Sequence, residues 1–576
     1  MDMQYKKTAA AALAGITLFA LPAGNLGIGA SAAANAALTH LLKSLTSAGS
    51  MTAADDYNSD GKVNAVDLTL MKRDLLAAQS SGTLTEQTVA LTDSNVKRVG
   101  RTLTKDGITW LVQSGSAVEC TVTGTEASIT IHGDGCVYSD EKYRPRYGVW
   151  VDGELVADVV MDTPQQTVTL FSGSTQRTAS VKVMHLSEAN NGAVGVSTVE
   201  VTSSAAQPVK PAAKKDLTIE FIGDSITCAY GVEADSQYVS FSTATENFSL
   251  SYAYLTAQLL NADYSAVCYS GYGIVSGYSN DGTINTSSLV PPIYTQTGSL
   301  SDYTAAWDFD ANPVDAVVIN LGTNDDSYAT KDLETRGKEY QAAYTEFLGT
   351  VREKNPDAVI VCTLGIMGCQ ELYPYLEAAV ADCNDSKITC YESPTHDFQN
   401  NGIGADWHPS AKTHELNSYL LASHLSDALG IEYSGVGLDY AADAVFSLET
   451  VEGSGANAWP YYSEWDNSFN VNISAGGGSD DDMVIWLRGM DLTAGEYELS
   501  FTTNPPEDAK LPYVLCDADG NPLCKGTVTG TGDSQTVTQT LRVSVPEDGC
   551  ALALSVGSLS TGNIWLKGVT LYKLSE

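Results

Sequence analysis

Between residues 217 and 430, short apolar runs alternate with longer segments whose apolar residues recur at helical spacing, an order few folds accept. The runs 217–222, 316–321 and 358–364 are largely apolar, as strands buried on both faces must be. The stretches 251–260, 335–352 and 410–429 carry the helical period. Strand and helix in alternation predict a doubly wound parallel α/β sheet over 217–432. In such a sheet, reactive groups gather at the carboxyl ends of the strands.

The flanks follow another rule. From 89 to 203 the runs 108–112, 118–122, 127–132, 147–151, 166–171 and 179–185 alternate residue by residue, with turn signals at Thr123-Gly124-Thr125, Gly133-Asp134-Gly135 and Asp152-Gly153. Period two predicts an antiparallel β-sandwich. Residues 204–216 read as an exposed linker. Alternation returns in 435–576, at 497–503, 513–516, 536–545, 551–556 and 564–574, with Asp519-Gly520-Asn521 as a hairpin turn. A second β-sandwich is expected there. Trp486 and Trp565 lie in strand-like runs and read as core, whereas Trp459, Tyr461, Tyr462 and Trp465 form a loop cluster able to stack on sugar faces.

Charge narrows the partners. Against 31 Lys+Arg stand 70 Asp+Glu, a net charge of −39, and that field repels nucleic acid and anionic lipid. Lys6 and Lys7 precede an apolar run, 8–21, then small residues with A-x-A sites such as Ala30-Ser31-Ala32. Residues 1–36 therefore read as a secretory signal peptide, too short for a membrane span. No second apolar run approaches the ~18 residues a span requires. The 11 cysteines show no C-x-x-C pair and no zinc spacing, while a Cys120–Cys136 bridge stays open.

Residues 56–67 read Asp-Tyr-Asn-Ser-Asp-Gly-Lys-Val-Asn-Ala-Val-Asp. Oxygen side chains fall at positions 1, 3, 5, 9 and 12 (Asp56, Asn58, Asp60, Asn64, Asp67), Lys62 stands at the carbonyl position, and Gly61 makes the turn. This is an EF-hand-type Ca²⁺ donor set, with Asp67 where the pattern has Glu. With a helix expected over 68–76 and Lys72-Arg73 within it, residues 37–80 resemble a dockerin repeat. The upstream segment 38–45 mimics 68–75, but 26–37 hold no acid, so a single calcium loop is expected. The resemblance implies docking to a cohesin-bearing scaffold, hence an extracellular, cellulosome-associated life.

Three motifs fall at strand ends in the α/β region, and a fourth block, Ser270-Gly271-Tyr272-Gly273, lies between them. They are Gly223-Asp224-Ser225-Ile226-Thr227, Asn320-Leu321-Gly322-Thr323-Asn324-Asp325 and Asp406-Trp407-His408-Pro409. A serine hydroxyl attacks well only when an imidazole takes its proton. The oxyanion that follows needs preorganised donors. The ordered set resembles the SGNH (GDSL) hydrolases. That resemblance implies Ser225 as nucleophile, His408 as general base, and an oxyanion hole from the Ser225 and Gly271 N–H groups with the Asn324 amide. Asp406 is the candidate for fixing the imidazole tautomer, and no cofactor is implied for catalysis. His132, His185, His396, His414 and His424 read as structural.

The wider family has its acid three residues before the histidine, where Ala405 stands here. Asp-Trp-His-Pro-Ser-x-x-Thr-His behind a jelly-roll sandwich instead resembles carbohydrate esterase family 2, over about residues 90–430. This implies removal of acetyl groups from plant polysaccharide such as xylan or glucomannan, with Trp407 near the sugar. The C-terminal sandwich looks like a carbohydrate-binding module. Two rival readings are an SGNH esterase for peptidoglycan, sialoglycans or small esters, and an inert scaffold-borne binding protein.

Overall fold

A computed structural model describes residues 63, 66, 67, 69 and 83–575, apart from 443 and 464–466. The expected signal peptide, Asp56, Asn58, Asp60, Lys62, Asn64, Trp465 and nearly all of 37–80 lie outside the described residues. Asp67 is described: it is buried, within a helical turn.

Five parallel strands form the central sheet in the order Asp263–Cys268, Thr218–Gly223, Ala316–Asn320, Val359–Leu364, Ile388–Glu392. Both faces are covered, which is why the strand runs are largely apolar. On one face Ile219, Phe221 and Val318 pack with Leu421 and Leu425 of helix Ala411–Leu429 and with Tyr252 and Ala253 of helix Tyr252–Leu259. On the other, Val317, Ile319 and Ile360 meet Tyr344, Phe347 and Leu348 of helix Leu333–Lys354. All five strands end on one rim, and the three motifs lie there.

The N-terminal region is one ten-stranded hydrogen-bonded sheet rather than two separate sheets. Two strands are much longer than expected: Ala117–Gly133 and Gln165–His185. The first pairs with Lys97–Val99 and Val209–Pro211 in one half and with Val194–Ser203 in the other. Its register shifts between Gly124 and Glu126, so Thr123-Gly124-Thr125 bends a continuous strand and is not a turn. Asp152-Gly153 is a turn, with φ of 52° and 87°. Part of the expected linker is sheet, since Val209 is buried and Val209–Pro211 pairs with Cys120–Val122. A long-range partner supplied the pairing that composition could not show.

The C-terminal region holds two five-stranded antiparallel sheets around one apolar core. Alternation corrects two expectations. Trp486 lies between Ile485 and Leu487, and Trp565 between Ile564 and Leu566, all four inward and buried. Both tryptophans are therefore on outer faces, partly exposed. All 11 cysteines are free.

The N-terminal sheet is joined to the α/β core by a buried ion pair. Glu220 sits within strand Thr218–Gly223, 2 % exposed, and Arg101 reaches it at 2.9 Å with its own side chain fully buried. The guanidinium also donates to the Tyr294 and Gln296 carbonyls and lies over the Tyr294, Trp307 and Phe309 rings. Arg101→Ala leaves Glu220 as an uncompensated buried charge, and should destabilise the protein by ~3–5 kcal/mol. Joint replacement, Arg101→Met with Glu220→Leu, should restore most of that. Urea denaturation of the full chain reads both, and equal losses from the single and double variants would show that the charges are not the joint.

Candidate active site

The strand Thr218–Gly223 ends the first run of the sheet and the chain turns at once into the short helix Ser225–Cys228. Asp224 caps it, its Oδ1 accepting the Ile226 N–H at 3.0 Å. Ser225 thus sits at the strand tip, 6 % exposed. His408 arrives from the opposite side, just ahead of helix Ala411–Leu429.

His408 Nε2 lies 2.8 Å from Ser225 Oγ. His408 Nδ1 lies 3.1 Å from the Ala405 carbonyl oxygen. A carbonyl can only accept, so Nδ1 carries the proton and Nε2 is the free base facing the serine hydroxyl. The same carbonyl accepts the His408 backbone N–H at 2.9 Å, closing a tight turn. That turn requires left-handed backbone at Asp406 and Trp407, with φ of 47° and 67°, unusual for a side chain as large as tryptophan. It packs on Gly231, where a Cβ would meet the Ala405 Cβ at 2.4 Å.

Asp406 is not where a triad acid would be. Its Oδ2 accepts the Tyr230 hydroxyl at 2.7 Å, and the proton on Nδ1 goes to the main chain. Tyr230 stacks on the imidazole with ring centroids 4.1 Å apart, and is itself backed by Phe241 and then by Tyr143 of the N-terminal region. The Asp406 carboxylate therefore bonds Tyr230 rather than the imidazole, and acts on His408 as a nearby charge and through that ring. Burial pushes the imidazole pKa down to about 4, against the pull of the Ala405 carbonyl. The base stays neutral across ordinary pH.

Among the described residues neither the Ser225 N–H nor the Gly271 N–H has an acceptor. Gly271 has φ of 80°, with open space where a Cβ would stand. The Asn324 amide nitrogen donates to the Tyr272 carbonyl at 2.9 Å and, more weakly, to Asp224 Oδ2 at 3.3 Å. Behind it, buried Asp325 accepts the N–H groups of Ile274, Val275 and Ser276 at 2.7–3.1 Å, bracing the loop that carries Gly271. Burial raises Asp224 to about 7 and Asp325 to about 6.

Trp407 is exposed at the mouth, edge-on to Phe398. The other predicted aromatics that are described, Trp459, Tyr461 and Tyr462, are far along the chain and divide between the two faces of one strand. Trp459 and Tyr461 lie on the outer face of the edge strand Asn457–Ser463. Tyr462 pairs with the core residue Phe469 and lines a cleft of about 570 Å³ beside Phe446 and Lys567. His414 is structural, its Nδ1 accepting the Tyr252 N–H at 3.1 Å.

Three of these groups had a sequence signal and one had none. Asp224 and Asp325 stood inside the motifs, and Ala405 marked the missing acid. Tyr230 carried no signal.

Three family descriptions match the chain: "Carbohydrate esterase 2 N-terminal" over residues 98–211, "GDSL-like Lipase/Acylhydrolase family" over 221–416, and "Dockerin type I domain" over 39–96. "Cellulase/esterase CelE" of Acetivibrio thermocellus is 35 % identical over 314 residues, 53 % of this chain and 36 % of that protein. The chain thus spans little more than a third of that relative. An "Acetylxylan esterase / glucomannan deacetylase" of Cellvibrio japonicus is 26 % identical over 269 residues, 46 % of this chain and 72 % of the other. A family two carbohydrate esterase from Clostridium thermocellum, an active-site mutant, is 32 % identical in structural alignment, with TM-score 0.52. The match covers 59 % of this chain and all of that one. A family two esterase from Cellvibrio japonicus, 23 % identical with TM-score 0.53, shares the fold over 60 % of this chain and 99 % of its own.

The hydrogen-bond pattern predicts how Ser225 reacts. A fluorophosphonate should label Ser225 at a rate set by neutral His408, holding as pH falls below 6.5 and dropping only towards about 4. Mass spectrometry of the adduct against pH reads this, and a midpoint at the ordinary 6.5 would contradict it.

Proposed function

The chain belongs to carbohydrate esterase family 2, and on that premise we propose that it is a secreted serine esterase removing O-acetyl groups from plant cell-wall polysaccharide. Acetylated xylan and glucomannan are the substrates, following the names its relatives carry. The observation that carries the reading is the Ser225 Oγ–His408 Nε2 contact at 2.8 Å beside unengaged N–H donors.

The residues divide the chemistry as follows. His408 Nε2 takes the Ser225 proton as Oγ attacks the acetyl carbonyl. The Ser225 and Gly271 N–H groups receive the developing oxyanion, and the Asn324 amide joins them by giving up its long contact to Asp224. His408 then protonates the departing sugar oxygen, and water hydrolyses the acetyl-serine by the same route in reverse. The imidazolium is stabilised by the Ala405 carbonyl and the Tyr230 ring. Trp407 at the mouth offers a face for the sugar. An inert binding protein would have no use for this arrangement.

The dockerin match supports attachment to a cohesin-bearing scaffold outside the cell. Hard oxygen donors at Asp56, Asn58, Asp60, Asn64 and Asp67, with Lys62 at the carbonyl position, suit one structural Ca²⁺. Among the described residues, no helix is long and apolar enough to cross a membrane.

The C-terminal region serves as a glycan platform. On one outer face Tyr461, Asn470 and Trp565 stand in register across three strands, with Trp459, Asn472 and Asn563 in the next row. Adjacent strands are ~4.8 Å apart, so the two aromatics in the first row flank Asn470, which is only 5 % exposed. In a chain of net charge −39, these two rows hold no charged residue, and the adjoining row adds Lys567, whose ammonium lies 4.8 Å from the Trp565 ring centroid; the three rows carry no acid to repel a sugar chain.

Two experiments test the reading. On a soluble acetyl ester, Ser225→Ala and His408→Ala should each lose at least ~10⁴ in kcat, whereas Asp406→Ala should lose only ~10-fold. Acetate release from acetylated xylan, glucomannan and sialoglycans, compared side by side, assigns the substrate, and a preference for sialoglycans would redirect it. The double variant Tyr461→Ala/Trp565→Ala should lose retention on immobilised xylan or glucomannan while keeping turnover of the soluble ester. Unchanged retention would remove the platform role.

A further inference from the structure

Ser225 and the Gly271 loop stand on the α/β sheet, yet a buried carboxylate that touches that loop and the end of the turn begun by Ser225 comes from the N-terminal region. Glu188 lies just past strand Gln165–His185, heading the turn Ala189–Asn191, and is 5 % exposed. Its Oε2 accepts the Ser270 N–H at 2.8 Å. The Cys228 Sγ, closing the turn that begins at Ser225, lies 4.0 Å from the same oxygen. The seat is built. The Glu188 N–H donates to Glu246 Oε2 at 3.0 Å, Asn191 Nδ2 reaches Glu188 Oε1 at 3.4 Å, and Arg146 donates to the Glu246 carbonyl at 3.0 Å. Ala189 alongside packs on Val267 and Tyr269, at the end of strand Asp263–Cys268.

Glu188 and Asp325 therefore clamp the loop on both sides of Gly271. Glu188 holds the N–H before it, and Asp325 holds the three N–H groups of 274–276 after it. Between them the Gly271 peptide, left-handed and without an acceptor, has little freedom to turn away from Ser225. An oxyanion donor acts through such preorganisation, because it need not rotate when charge develops. We propose that Glu188 is a positioning residue of the oxyanion hole, delivered across the boundary between the two regions, which aims the Gly271 N–H at the reacting carbonyl. This rests on the esterase reading above.

The test uses the full chain and a soluble acetyl ester, with a second readout. That readout is affinity for a small boronic acid, which adds to Ser225 as a tetrahedral anion. Glu188→Met fills the same volume without an acceptor and should lower kcat by ~30-fold with KM within about two-fold, and boronate affinity should fall in parallel. Glu188→Gln keeps an oxygen for the Ser270 N–H and should recover most of the rate. Glu188→Asp keeps the carboxyl group but shortens the reach, and should show the same kcat-only loss in smaller degree; it is the variant to read if Glu188→Met does not fold. Wild-type kcat and boronate affinity in the folded variants would overturn the proposal, as would a loss confined to KM. A wild type that turns the ester over, matched by its position-188 variants, overturns this proposal alone. A wild type without turnover overturns the esterase reading with it.

Discussion

A glutamate in the middle of a central parallel strand is an expensive residue to bury. Glu220 is tolerated because Arg101 is brought to it from another part of the chain, and the pair is closed from solvent. The α/β sheet is therefore electrostatically incomplete until the N-terminal sheet docks, since an isolated carboxylate in that position would carry the full desolvation penalty. The same boundary is stitched again by Arg146, which ion-pairs with Asp158 of its own sheet and with Glu233 of the core at 2.6 Å each. The apolar contacts agree: Met184 and Leu186 sit in one cluster with Phe221 and Leu421. The two regions make one folding unit, although their sequence patterns differ completely.

That fusion has a chemical counterpart. The aromatic column Tyr143–Phe241–Tyr230 backs His408 from the N-terminal side, and Glu188 backs the Gly271 loop from the same side. The parallel sheet supplies the nucleophile and the donors at its strand ends. Their alignment draws on neighbours that the sheet itself does not contain.

Much of this was legible in the residues. The order of apolar runs gave the parallel sheet, and the spacing of Ser225, Gly271, Asn324 and His408 marked one rim of it. What escaped was set by distant partners. Val209–Pro211 reads as linker until Cys120–Val122 is placed beside it. Thr123-Gly124-Thr125 reads as a turn because glycine signals a break in both a turn and a bulge. Glu188 carries no sequence signal, for no local pattern reports a hydrogen bond to a residue 82 positions away. The outward placing of Trp565 was available in the alternation of Ile564 and Leu566, had the size of the tryptophan not suggested core.

Handing the orientation of the base to the Ala405 carbonyl changes where the site is vulnerable to mutation. No side-chain replacement deletes a main-chain oxygen, so the dyad lacks the single weak point that an orienting aspartate would give it. Fragility moves instead into shape. Position 405 is closed to larger residues by Gly231, and Gly231 is closed to any side chain by Ala405. Drift in sequence can therefore exchange Asp406 for other residues far more freely than it can enlarge this pair of small ones, whose only chemistry is to be small.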